Sequence, residues 1–178
     1  NVFANVNWNP APPESVWLAS LPLFHATGMQ NAMNLPIWHG AAIVLMTRWD
    51  VRAAVALIER HRVSHWRLIA AMAVDLVSHL ETSPADLSSL AVIGGGGAQV
   101  PRAVAEKLKR LTGLDYIEAY GLSETIAATH ANPPHRPKAQ CLGIPMFGVD
   151  SRVVDARTLA ELGPNETGEI VISAPQLF

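Results

Sequence analysis

The spacing of apolar residues predicts strands that alternate with helices over roughly the first 120 residues. Apolar runs that are short and rich in branched residues predict buried strands at 16–21, 41–46, 90–93 and 115–120. Apolar residues that recur every three or four positions predict helices at 23–38, 51–58, 70–80 and 101–111. This alternation predicts an α/β fold, in which a mostly parallel sheet is flanked by helices.

The pattern changes after Thr125, where the chain becomes richer in loops. Prolines lie at 133, 134, 137 and 145. Two strand-like segments follow at 151–155 and 169–173, which predict a β-hairpin or a small β-rich unit. We therefore expect an α/β portion over residues 1–145 and a short β-rich tail over residues 146–178.

Composition narrows the class of protein. Hydrophobic residues make up 49% of the 178 residues and charged residues 16%, which predicts a packed globular body. The formal net charge of -2 gives no electrostatic reason to expect nucleic acid or an acidic membrane as a partner. Cys141 is the only cysteine, so no internal disulfide can form and a cytoplasmic location is predicted. The longest apolar run, 41–46, is too short to span a bilayer, and no signal peptide is predicted.

A run of four glycines, Gly94 to Gly97, follows the strand predicted at 90–93 and continues into Ala98 and Gln99. Glycines let a backbone approach a ligand closely and expose its N–H groups. Ligands of open α/β sheets bind beyond the carboxyl ends of strands. The run matches neither the Walker loop nor the dinucleotide fingerprint. From the residues alone, a tight strand-to-helix turn and a ligand-binding loop are equally open.

The segment from Tyr120 to Thr125 places a ring, a hydroxyl and a carboxylate at the end of the next predicted strand. Tyr120 can stack on a flat base, since aromatic side chains do so with nucleobases. Ser123 can donate a hydrogen bond to a phosphate, and Glu124 can hold magnesium. A capped turn with a buried tyrosine would explain the same residues, and the spacing alone favours that structural interpretation.

His25 lies where the first predicted strand gives way to a helix. It can face a pocket, but a half-buried histidine with satisfied hydrogen bonds is favoured without further context. His61 and His65 have the four-residue spacing of a metal pair on a helix, but no third ligand lies nearby, so no metal is predicted there. The motifs of serine hydrolases and zinc proteases are absent from the sequence.

Taken together and in this order, these segments resemble the adenylate-forming superfamily, which includes acyl-CoA synthetases, firefly luciferase and peptide-synthetase adenylation domains. Pro22 to Gly28 resembles its Pro-Leu-Phe-His-x-x-Gly segment, Gly95 to Pro101 its Gly-Gly-Ala loop, and Tyr120 to Thr125 its Tyr-Gly-x-Thr-Glu signature. Residues 143–149 and 168–172 resemble the Gly-x-Pro-x-x-Gly-Val and Gly-Glu-Ile segments that follow. Each match is weak alone. Because all five occur in family order over almost the whole chain, the set favours the ligand-binding interpretations.

The resemblance implies a site for ATP, Mg²⁺ and an acid. The residues that would line the nucleotide are Gly97, Ala98, Gln99, Ala119, Tyr120, Gly121 and Ser123. The residues that would border the acid are His25, Gly95, Gly96 and Leu122. Tyr120 would stack on adenine, Ser123 would contact the α-phosphate, and Glu124 would hold Mg²⁺. His25, Ser123 and Glu124 are the residues that would take part in catalysis.

The resemblance also implies a reaction in two steps. A carboxylate attacks ATP to give an acyl-adenylate and pyrophosphate, and a thiol, usually that of CoA, then displaces AMP. A fatty acid is the first expectation, from family likeness and from apolar helices near Ala32 and Val74 that would line the acyl tail; an aryl acid is close behind. Partners would be the acid, ATP and CoA, and a homodimer is a possible assembly.

Parts of the superfamily's machinery do not occur in this stretch of sequence. Its phosphate loop would precede Asn1, and its Thr-Gly-Asp segment and C-terminal domain with a catalytic lysine would follow Phe178. We therefore expect an internal piece of the large N-terminal domain that does not turn over alone. Ser123 stands where threonine is common in the superfamily, which keeps the hydroxyl, and Gln99 stands where many members have proline.

Three other functions stay open from the sequence. Within the superfamily, the nearest is an adenylation domain that loads a carrier protein. From other classes, the chain can be a nucleotide-binding module without catalysis, or a structural α/β domain whose glycines only form turns.

Overall fold

The computed structural model describes residues 1–177 and places most strands in one seven-stranded sheet. Its strands are β1 (Val16–Ala19), β2 (Ala42–Leu45), β3 (His65–Arg67), β4 (Val92–Gly95), β5 (Tyr116–Leu122), β6 (Ala127–Ala131) and β7 (Ile144–Pro145). Their order across the sheet is β2-β1-β3-β4-β5-β6-β7. The first five are parallel, and β6 and β7 are antiparallel additions at one edge. The predicted fold class is therefore confirmed.

The helices are close to those that the apolar spacing predicted, except that the first one, Val2–Trp8, was not predicted. They are α1 (Val2–Trp8), α2 (Ala26–Gly28), α3 (Leu35–His39), α4 (Val51–His61), α5 (Ala70–Thr82) and α6 (Arg102–Thr112). A π-helical segment, Met29–Asn34, joins α2 to α3, so the helix predicted at 23–38 begins at Ala26 instead. Asp50 caps α4 as its sequence suggests, because its carboxylate accepts a hydrogen bond from the Ala53 N–H at 2.8 Å.

Helices cover both faces of the large sheet. Neighbouring residues of a strand point to opposite faces, so Trp17 and Leu18 of β1 mark the two sides. Leu18 belongs to the main core, which includes buried residues of α4, α5 and α6 such as Ile58, Leu76 and Leu108. Trp17 packs instead in a smaller cluster with Val6 of α1 and Leu35 of α3. The face beneath α1, α2 and α3 is the one on which the candidate site forms.

Two boundaries differ from the prediction in a way that concerns the candidate motifs. β4 runs from 92 to 95, so Gly94 and Gly95 lie within the strand and only Gly96 and Gly97 follow it. β5 extends to Leu122, so the first part of the 120–125 segment is strand rather than turn. In both cases pairing with a neighbouring strand extends the element beyond its apolar run.

The tail forms the hairpin that the sequence predicts. β8 (Asp150–Val154) pairs antiparallel with β9 (Glu169–Ser173) in a separate two-stranded sheet. Met146, which follows β7 and precedes the hairpin, is buried against Ala4 and Ala131. The division into units at 145 and 146 stays a prediction, and Phe178 lies outside the described residues.

Candidate active site

A cavity of about 350 Å³ lies at the carboxyl ends of the parallel strands. Its walls come from the ends of β3, β4 and β5, from the segment after β1, and from α1 and α2. This edge is where open α/β sheets bind ligands. A cavity of this size is large enough for a small ligand.

Most of the residues that the sequence singled out line this cavity. They are His25, Gly95, Gly96, Gly97, Ala119, Tyr120, Gly121, Leu122, Ser123 and Glu124. Ala98 and Gln99 do not line it; both are exposed on the loop that continues from Gly97. The three segments are separated by about 70 and about 25 residues in the chain, and the parallel sheet brings them together because their strands end at one edge.

The glycine loop approaches the next strand so closely that a side chain would not fit. A Cβ atom added to Gly96 would lie 2.3 Å from the Ala119 carbonyl oxygen. Gly97 has a φ of +85°, in the left-handed region that favours glycine. The path of the backbone therefore requires glycine at these two positions. As a result, peptide groups rather than side chains form this part of the cavity wall.

The turn that carries Ser123 and Glu124 is held from below by a buried threonine. Thr125 Oγ1 accepts a hydrogen bond from the Leu122 N–H at 3.0 Å and lies 2.8 Å from the Ala127 carbonyl oxygen. The chain then turns back through Ile126 and Ala127, both at positive φ. Non-glycine residues at positive φ persist where surrounding contacts over-determine them, often at functional sites.

Ser123 and Glu124 themselves are exposed to the cavity and to solvent. Within residues 1–177, the Glu124 carboxylate forms no ion pair. It is also the only acidic side chain among the residues that line the cavity. A carboxylate left free on a rigid turn can bind a cation without first breaking another contact.

The Tyr120 ring lies half-buried on β5, beside the bulge where the β5–β6 register shifts. Its edge-to-face partner is His130 of β6, with ring centroids 5.8 Å apart and planes at 63°. His130 is fixed in turn, because its Nε2 lies 2.9 Å from the Ser151 hydroxyl of β8. Burial lowers the pKa of His130, which favours the neutral ring in this contact.

His25 caps the helical run that begins at Ala26. Its Nδ1 accepts a hydrogen bond from the Thr27 N–H at 3.1 Å, so in the neutral ring the proton lies on Nε2. The side chain is exposed. The half-buried histidine with satisfied hydrogen bonds, which the sequence alone favoured, is therefore not observed. His25 can therefore offer an Nε2–H donor to a ligand in the cavity.

Sequence reasoning missed several residues of the cavity wall. They are Asn5 and Trp8 of α1, Asn31 of the π-helical segment, and Arg67 at the end of β3, among others. None belongs to a motif, and each reaches the cavity only through the packing of its element. Conversely, Val74 lies on α5, which packs on the other face of the sheet, and neither it nor Ala32 lines the cavity.

The residues present fit a magnesium ion that is shared with a phosphate ligand. Among the described residues, no group of three His, Cys, Asp or Glu side chains is placed to hold a metal ion alone. Mg²⁺ in phosphate-binding sites is commonly held by one or two carboxylates together with substrate phosphates and water. Glu124 is suited to that role. His61 is exposed at the end of α4 while His65 is buried in β3, so the two do not form a metal pair.

None of the described helices is long and apolar enough to cross a membrane.

Comparisons with known proteins identify the family of the chain. The family model described as AMP-binding enzyme matches residues 1–178. A long-chain-fatty-acid–CoA ligase of Bacillus subtilis is 30% identical over 162 residues, covering 90% of this chain and 29% of that protein. The chain thus spans less than a third of the length of this relative.

Two solved structures superpose on nearly the whole chain. A long-chain-fatty-acid–CoA ligase from Archaeoglobus fulgidus gives a TM-score of 0.93 at 26% identity, covering 99% of this chain and 37% of that one. The O-succinylbenzoate CoA synthetase of Bacillus subtilis, solved with ATP and magnesium, gives 0.85 at 25% identity, covering 99% and 36%. On the family match and the shared fold, the chain belongs to the AMP-binding enzyme family.

Proposed function

We propose that the full-length protein is an AMP-forming ligase, which activates a carboxylic acid as its acyl-adenylate and transfers the acyl group to CoA. The observation that carries this proposal is a single cavity lined by Gly95 to Gly97, by Tyr120 and by Glu124. It combines peptide groups that can border the acid and the base, a ring that can stack on the base, and a free carboxylate that can hold a metal ion. CoA is the proposed acceptor, from the activities of the relatives.

In this proposal each side of the cavity has a distinct task. Adenine lies against Tyr120 and Gly97, with Ala98 and Gln99 on the exposed continuation of that loop, while Ser123 donates to the α-phosphate. The reacting carboxylate lies near Gly95, Gly96 and the His25 Nε2–H. Mg²⁺ bound at Glu124 would neutralise phosphate charge. The protein groups themselves position the carboxylate for in-line attack on the α-phosphorus, and pyrophosphate leaves.

A fatty acid is the first candidate substrate on family likeness, and an aryl acid is the alternative. The relatives include ligases of both kinds by name. A domain that loads a carrier protein would use the same adenylation site with another thiol. A nucleotide-binding module without catalysis is the non-enzymatic alternative.

The proposal is tested by measuring pyrophosphate release from ATP and Mg²⁺ by the full-length protein with a panel of fatty, dicarboxylic and aryl acids. Release that depends on one class of acid, followed by CoA thioester formation, is the expected result. ATP binding by a folded protein without release for any acid would favour the nucleotide-binding module. Release without a CoA thioester would favour the carrier-protein alternative.

Tyr120 provides a prediction on nucleotide affinity. Tyr120→Ala in the full-length protein is expected to weaken ATP binding by about 10- to 100-fold, because base–aromatic stacking contributes about 1–3 kcal/mol. Tyr120→Phe keeps the ring and is expected to bind as the wild type does. Isothermal titration calorimetry measures both. An unchanged dissociation constant for the alanine variant would show that adenine binds elsewhere.

A further inference from the structure

Arg67 places a cation in the wall of the candidate active site. It ends β3, where it pairs with Gly94 of β4, and Gly94 pairs in turn with Ile117 of β5. The three residues form one row across the sheet and point to the face that bears the cavity, which Arg67 and Ile117 both line. Arg67 therefore lies one residue deeper in the sheet than the Gly95 and Gly96 wall.

The sequence leaves room for the Arg67 guanidinium at this depth. A Cβ atom on Gly94 would lie 2.5 Å from the Ile117 carbonyl oxygen and 2.9 Å from Arg67 Nη1, both closer than such atoms normally approach. The absence of a side chain at Gly94 thus lets the guanidinium lie over the middle of the row. A glycine in a central strand weakens that strand, and it commonly marks a place where another group must come close.

Arg67 has no anionic partner in the described part of the chain. No ion pair or side-chain hydrogen bond involves it among residues 1–177. Glu124, the one acidic residue of the cavity wall, lies beyond the end of β5, two strands away in the sheet and seven residues further along the chain than Ile117, the β5 residue in the row of Arg67. Glu118 lies on the opposite face, beside α6.

The positive charge of Arg67 affects the pKa of a neighbouring histidine. Burial lowers the pKa of Arg67, but a guanidinium stays protonated in proteins because its pKa begins so high. Its positive charge is one reason that the pKa of His65, two residues earlier on the same face, is lowered. The Arg67 side chain is half-buried in the cavity wall, and a charge withdrawn from water without a partner is costly; a ligand that supplies the missing anion would recover that cost.

Resting on the ligase function proposed above, we propose that Arg67 selects an acid with a second carboxylate, which the guanidinium binds while the first carboxylate reacts. Arginine matches a carboxylate with two parallel hydrogen bonds, a stronger contact than neutral groups make. This narrows the candidate substrate from an unsubstituted fatty acid to a dicarboxylic acid.

The two alternative uses of Arg67 fit the geometry less well. An unsubstituted hydrocarbon tail would cover the guanidinium and give it no acceptor, which is unfavourable for a buried charge. The reacting carboxylate and the phosphates belong near Gly95, Gly96 and Glu124, which lie closer to the open ends of the strands than Gly94 does. A second carboxylate reaches Arg67 while the first stays at the glycine wall.

The test uses the full-length protein and acids in pairs of equal chain length, butanoate with butanedioate and hexanoate with hexanedioate. Pyrophosphate release gives kcat/KM for each. Wild type is expected to prefer a dicarboxylate over its partner by at least about tenfold. Arg67→Met, which keeps the alkyl stem, is expected to lower kcat/KM for that dicarboxylate by about 100-fold and to leave the monocarboxylate unchanged or improved. Arg67→Lys keeps the charge and is expected to retain part of the preference.

Two results would overturn this inference while leaving the ligase function intact. One is a wild-type preference for monocarboxylates; the other is an equal loss for both acids in Arg67→Met, with ATP binding and melting temperature unchanged. If Arg67→Met fails to fold, the wild-type preference and the Arg67→Lys variant decide the matter. No release with any acid would overturn the ligase proposal and this inference together.

Discussion

Replacing Glu124 with alanine in the full-length protein is expected to lower kcat for pyrophosphate release by about 100- to 1000-fold. Glu124 is the only acidic side chain of the cavity wall, and no cation of the described chain competes for it. Without it, no protein carboxylate in this wall can fix a metal ion at the phosphates. We expect the substitution to lower kcat more than it weakens ATP binding, because the charge on the phosphate changes during transfer.

A matched control separates the position of the carboxylate from its mere presence on the surface. Glu106→Ala also removes an exposed carboxylate, one that pairs with Arg102 on α6 outside the cavity. It is expected to leave kcat unchanged, because an exposed pair of this kind contributes little. Glu124→Gln keeps the shape of the side chain without its charge and should behave like Glu124→Ala. If Glu124→Ala loses less than about threefold in kcat, Glu124 does not hold the metal ion.

Acid is expected to destabilise the protein through His65. This side chain is 5% exposed, is stacked on Trp17 with centroids 4.8 Å apart, and meets the Ser64 hydroxyl at 2.9 Å. Burial first, then the charge of Arg67 and the neighbouring His39, lowers the pKa of His65 to about 4. The folded protein therefore holds this ring neutral at pH values where the unfolded chain is protonated.

The direction and size of the effect follow from this difference. Between pH 6.5 and pH 4 the unfolded state binds more protons at His65, so stability is present above pH 6.5 and is lost as the pH falls toward 4. A pKa difference of this size corresponds to about 3 kcal/mol in all, of which about 2 kcal/mol is lost by pH 5. Urea unfolding of the full-length protein at neutral pH and at pH 5 measures it.

His65→Phe keeps the stack on Trp17 and removes the titrating group. The variant is expected to lose less stability than wild type between neutral pH and pH 5, by about 2 kcal/mol. The Ser64 hydroxyl keeps its bonds to the backbone of Val16, so the substitution leaves no orphaned donor there. His61→Gln, at the exposed end of α4, is the control and should follow the wild-type curve. A His65→Phe curve parallel to wild type would show that other groups cause the acid sensitivity.

Most strands of the central sheet were predictable because they are short apolar runs between strongly periodic helices. β3 was not predicted, because its sequence, His-Trp-Arg, is not an apolar run. α1 was not predicted: Asn5 and Asn7 interrupt its apolar spacing. It is fixed by the burial of Ala4 and Val6 and by contacts that include a 2.8 Å bond from Asn1 Nδ2 to the Ala128 carbonyl. β6 is an Ala-Ala-Thr-His-Ala segment without a run of branched residues. It is a strand because β5 and β7 pair with its two edges.

The residues of the candidate site likewise include some that the sequence could identify and some that it could not. Residues of the glycine loop and of the 120–125 segment could be identified, because special backbone shapes and clustered chemistry leave marks in a sequence. Arg67 could not, because a lone arginine in an apolar segment gives no sign of the direction in which it points. Its position follows from the register that sets it opposite Gly94.

The imidazole of His130 contacts both the cavity wall and the small two-stranded sheet, and so connects them. One side of its ring meets Tyr120 in the cavity wall, and its Nε2 is bonded to Ser151 in the small sheet. A rotation of the small sheet must either carry this ring along, and so shift the surface on which a base would stack, or break the 2.9 Å bond. The geometry of the nucleotide wall and the orientation of the β-rich tail are therefore not independent degrees of freedom.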